Sequence, residues 1–65
     1  MRKYVGELIK SDIGKTIHLI HENVGYVGKL EAKILSSGGV TLEIKLNRNW
    51  TERFLMNNGA IVDVR

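Results

Sequence analysis

The residues of this chain best suited to chemistry are cations. Lys29, Lys33, Lys45, Arg48 and Arg53 occupy its middle, with the single tryptophan, Trp50, in the stretch NRNWTERF between two arginines and with Tyr26 upstream. Lysine and arginine neutralise phosphates and release their counterions, and a ring among them stacks on a base for roughly 1–3 kcal/mol. These types point to a nucleic-acid face, for RNA or a single strand, built from the five cations with Trp50 or Tyr26 as stacking partner. Glu31, Glu43 and Glu52 are interleaved with them, so a second reading stays open: a solvated strand face whose opposite charges set the register.

Other chemistry finds little support. The chain has no cysteine, hence no thiolate nucleophile, thiolate zinc ligand or disulfide. Ser11, Ser36 and Ser37 lie in turn-like sequence, with neither G-x-S-x-G nor a histidine and acid at useful spacing. The chain therefore reads as non-enzymatic. His18 and His21, with Glu22 beside them, are the only candidate metal ligands. Positions three apart on a strand point to opposite faces, so no metal site is expected. The GYVG segment and Gly38–Gly39 lack the following helix and spaced lysine of a phosphate loop. Neither a cofactor nor a small-molecule substrate is expected.

Size and charge bound the rest. With 65 residues the chain is read as one domain, 1–65, and such a domain buries only about 60% of its unfolded surface. Ten Lys and Arg against seven Asp and Glu leave a net charge of +3, which favours polyanions but lies within the ordinary range of a soluble domain. No apolar run approaches the roughly 18 residues of a membrane span, and the N-terminus lacks a signal-peptide core, so a cytoplasmic protein without membrane contact is expected.

The elements that must position the cations are strands. In GYVGKLEAKIL, Tyr26, Gly28, Leu30, Ala32 and Ile34 alternate with Val27, Lys29, Glu31, Lys33 and Leu35, which predicts a core face and a charged face. VTLEIKL follows, with Val40, Leu42, Ile44 and Leu46 inward, and SSGG between them makes a hairpin turn. KTIHLIH, WTERFLM and AIVDV supply three further strands. Trp50 shares parity with Phe54 and Met56, which predicts its burial and leaves Arg48 and Arg53 to make any contact. The opening YVGELIKSDIGK reads as a short irregular or helical entry, with an edge strand as the alternative. Five short strands, with Gly25 and Gly28 where the second must bend, predict a strongly bent antiparallel sheet closing into a barrel.

In this order, LIKSDIGKTIHL, GYVGKLEAKIL, GGVTLEIKL, WTERFLM and GAIVDVR, the chain resembles the small β-barrel superfold of SH3-like and Sm-like domains over nearly its whole length. The resemblance is architectural and implies an all-β binding module. Sm-like domains carry an Asp and an Asn in the loop that reads LSSGGV here, and neither is present. The opening also looks like that of some OB-fold anticodon-binding domains, as far as His21. The expected function is nucleic-acid binding. The alternative is a protein-interaction module, a small accessory or phage-type regulatory protein, that meets a partner or a second copy through a barrel edge or through Val27, Leu35 and Leu55.

Overall fold

The structure, a computed structural model, describes residues 1–65. It is all-β: a single antiparallel sheet of β1 (Arg2–Tyr4), β2 (Thr16–His21), β3 (Val24–Ser36), β4 (Gly39–Asn47), β5 (Trp50–Met56) and β6 (Ile61–Val64). The spatial order is β1-β6-β2-β3-β4-β5. Two 3-10 turns, Val5–Glu7 and Lys10–Asp12, lie between β1 and β2. No helix is long and apolar enough to cross a membrane.

The alternation of β4 is realised as expected, with Val40, Leu42 and Ile44 buried. They join Ile17 and Leu19 of β2, Leu30 of β3, Phe54 and Met56 of β5, and Val62 and Val64 of β6. Val5 of the first 3-10 turn and Leu8 just after it complete the core. The turn between β2 and β3 is two residues, Glu22 and Asn23, both at positive φ, as a primed hairpin turn requires. In the next hairpin only Gly39, at φ 136°, takes such a conformation.

Four expectations are corrected. The sheet has six strands rather than five, because Arg2–Tyr4 pairs with β6. Its short length is set by the 3-10 turn that starts at Val5, whose backbone N–H donates to the Ala60 carbonyl at 2.8 Å. The sheet also does not close, since the edge strands β1 and β5 have no bonds to each other. It is nevertheless strongly bent: the rings of His21 and Tyr26, from β2 and β3, lie 5.4 and 4.7 Å from that of Phe54 on β5.

The third correction concerns β3. Register slips between Leu30 and Ala32, so the extra residue, Glu31, forms a bulge. A one-residue slip exchanges the two faces of everything beyond it. Ala32 and Ile34 therefore stand opposite Glu43 and Thr41 on the outer face, while Lys33 and Leu35 stand opposite Leu42 and Val40. Ile34 is accordingly 44% exposed. Thirteen residues are too long for one twisted strand to keep a single register with both neighbours. The first half of β3 pairs with β2 and the second with β4, and only Lys29 is in register with both.

The fourth is Trp50, which is 51% exposed rather than buried. It has the parity of Phe54, but the core ends at the row in which Ile44 faces Glu52. A second bulge, between Lys45 and Asn47, and the hairpin turn lie next to Trp50, so it stands beyond the last buried row.

Candidate nucleic-acid interface

The outer face is assembled row by row from strand register. Lys29 and Lys45 each adjoin a buried core residue, Leu30 and Ile44, so both point outward. They stand directly opposite one another, and the row continues to Thr16 on β2 and Thr51 on β5. In-register neighbours have their Cβ atoms about 5 Å apart, and like charges at that distance repel. Neither lysine forms an ion pair. Two exposed lysines thus stand directly opposite one another, neither within ion-pair distance of a carboxylate.

This close approach depends on Gly28, which precedes Lys29. A Cβ there would overlap the Lys45 carbonyl oxygen and come within 2.7 Å of Ile44 Cγ2. The bare α-carbon lets β4 cross tightly over β3 and brings the two lysines into the same row.

Around this pair the other cations differ in availability. Arg48, in the β4–β5 turn, is exposed and unpaired. That turn is held by Asn47, whose Oδ1 accepts the Asn49 backbone N–H at 2.8 Å. Trp50 follows immediately; it adjoins Thr51 at the end of the lysine row but, with the parity of Phe54, lies on the other face of β5, and it packs on no other ring. Arg53 lies one row further along the same face, where its Nε meets Glu43 Oε2 at 3.0 Å. An exposed pair of this kind contributes only about 0–1 kcal/mol, so Arg53 is restrained rather than withdrawn.

Two further residues of the expected site are elsewhere. Lys33, turned by the Glu31 bulge, is on the opposite face, and its ammonium donates to the carbonyls of Leu8 at 2.8 Å and Gly6 at 3.2 Å. Those carbonyls end the first 3-10 turn, where backbone acceptors lack internal partners. Lys33 therefore fastens that turn to the sheet. Tyr26 packs against the core with its ring on Phe54. The structure brings together Lys29, Lys45 and, beside its glutamate, Arg53 on the outer face, with Arg48 in the adjoining turn and Trp50 at the same end of the sheet on the other side of β5.

Sequence reasoning missed the polar centre of the N-terminal segment. Asp12 is fully buried. Its carboxylate accepts the Ile9 backbone N–H at 2.9 Å and meets Lys3 at 3.1 Å and Lys15 at 3.4 Å. The Ile9 hydrogen bond, with help from the two lysines, holds its pKa below the ordinary aspartate value despite burial. The spacing of Ile9 and Asp12, first and last residue of a tight turn, was the available signal. Asp63, on β6, is also held below the usual range, chiefly by a hydrogen bond from the Met1 ammonium.

His18 points outward and is opposite Val27 and Asp63, while His21 sits edge-on to Phe54. They share no ligand position, and no group of three or more metal-ligating side chains comes together. No protein-family model, curated protein or solved structure matches the chain.

Proposed function

We propose that the chain is a non-enzymatic binding module of the SH3-like or Sm-like kind, acting in the cytoplasm, that binds RNA or single-stranded nucleic acid through Lys29, Lys45, Arg48 and Trp50. The observation that supports this is the Lys29–Lys45 row. Two like charges directly opposed across strands, unpaired and made possible by a glycine, work against the fold unless an anion sits over them. Trp50, exposed at the same end of the sheet on the other side of β5, offers a ring on which a base can stack where a strand passes round that end. The strand order β6-β2-β3-β4-β5 and the close β3–β4 approach at Gly28 support the small-barrel kinship.

Trp50 reports the interaction directly. Titration with a single-stranded oligonucleotide is expected to quench its fluorescence. Three free cations set a slope of about −2 in log affinity against log salt, and hence a loss of roughly 20-fold between 50 and 200 mM. Lys29→Gln makes the slope shallower by about 0.7, and Glu43→Gln, which frees Arg53, makes it steeper by about the same amount. Absence of quenching at 50 mM salt would sink the proposal.

The alternative is a protein-interaction module. Exposure of Leu55 and Ile34, neighbours of Thr41 on the outer face of β5 and β3, together with the unpaired β5 edge, favours it. Under that reading, Leu55→Asp abolishes capture of a partner and leaves oligonucleotide titrations flat.

A further inference from the structure

Away from the lysine row, the second 3-10 turn and the displaced half of β3 enclose a hollow of about 270 Å³. Leu8, Ile9 and Ile13 form its apolar walls, and Lys10 and Lys33 are its only charged residues. Ile9 and Ile13 are 60% and 41% exposed, although Leu8 beneath them is buried.

The charge in this hollow is one-sided. Lys33 is partly buried and donates to two carbonyl oxygens, but it has no carboxylate partner. An ammonium group has three donors, so one remains and the full charge is unmatched in a partly desolvated position. Lys10 forms no ion pair either, and the nearby acid, Asp12, is engaged by Lys3 and Lys15 in the interior. Charge complementarity thus calls for an anion attached to an apolar group. The volume lies below the roughly 300–1,000 Å³ of small-molecule pockets, and exposed isoleucines at the rim extend the apolar surface beyond it. A side chain presented by a larger molecule fits these dimensions better than a free ligand.

We infer that this hollow is a docking site for an acidic segment of a partner protein, taking one aliphatic side chain between Ile9 and Ile13 and an adjacent carboxylate between Lys10 and Lys33. The site is independent of the nucleic-acid face, because the Glu31 bulge puts Lys33 and Lys29 on opposite sides of the sheet.

The test uses the full chain, labelled with nitrogen-15, and a five-residue acidic peptide with a central leucine. Amide shifts are expected at Leu8, Ile9, Lys10, Ile13 and Lys33. Replacing the central leucine by serine, or introducing Ile13→Asp, should remove them, and Lys10→Gln should weaken binding several-fold. Both variants alter exposed side chains, and their own amide spectra verify the fold. The inference is overturned if the peptide shifts nothing, if the serine peptide binds equally well, or if the shifts fall at Lys29 and Lys45. Vesicles of anionic phospholipid binding in place of the peptide, with the same sensitivity to Ile13→Asp, also overturn it in favour of a membrane surface.

Discussion

Gly28→Ala tests the packing on which the lysine row depends. The added methyl would overlap the Lys45 carbonyl oxygen and lie 2.7 Å from Ile44 Cγ2. A side-chain methyl can rotate away, but a carbonyl in the β3–β4 ladder cannot, so β4 has to retreat by about an ångström to restore ordinary contact. Overpacking of this kind costs about 1–3 kcal/mol, here towards the upper end because the obstacle is backbone. Replacing glycine within a strand returns about 0.5–1 kcal/mol, which leaves a net loss of about 2 kcal/mol. A chain of this size has a total stability of roughly 3–10 kcal/mol. The midpoint of thermal unfolding, followed by circular dichroism, should therefore fall by about 8–16 °C. Gly25→Ala is the control, because its nearest neighbour would be His18 Nε2 at 3.7 Å, an ordinary contact. A Gly28→Ala midpoint equal to that of Gly25→Ala would refute the close-approach argument. If the two lysines act together, Gly28→Ala should also weaken oligonucleotide binding at temperatures where the variant is folded.

Two further outcomes separate structural from binding charges. Lys33→Met removes the donor to the Leu8 and Gly6 carbonyls and should destabilise the fold by about 2 kcal/mol. It should leave the salt slope of oligonucleotide binding unchanged, whereas Lys29→Gln does the reverse; a Lys33→Met protein of normal stability and reduced slope would reverse the assignment. Asp12 sets an acid limit: its folded pKa is depressed, so its stabilisation is complete above the unfolded value near 3.9 and is lost as pH falls through the lower folded value. Thermal melts should show Asp12→Asn less stable than the parent at pH 7, with the gap shrinking below about pH 4. Asp63 titrates over the same acid range in both proteins, so the narrowing isolates Asp12; a constant gap would count against its ionic role.

Much of the fold was legible because alternation in a half-buried strand records which side faces the core. Spacing alone puts Val40, Leu42 and Ile44 in the core, and Leu30, Phe54 and Met56 with them, where the structure buries them. Lys29, Lys45, Arg48 and Arg53 could be assigned to the outer face or a turn for the same reason. Alternation stops being informative where register slips. Nothing in LEAKIL marks Glu31 as the extra residue, since a bulge costs one unpaired position and any solvated side chain can occupy it. Alternation alone therefore puts Ile34 and Lys33 on each other's faces. Trp50 shows a related limit: parity tells which side a residue is on, but not whether the neighbouring strands extend far enough to cover it.

By itself, the sequence determined that the protein is a small all-β chain with a two-sided β3–β4 hairpin, a cationic middle and no thiol chemistry. Those properties follow from local alternation and from residue type. Only the tertiary structure decided that Lys29 meets Lys45, that Lys33 secures a 3-10 turn, that Asp12 is a buried ionic centre and that the sheet remains open. Each depends on which strand lies next to which and in what register. That choice is made by the whole core packing at once, and no short stretch of residues encodes it.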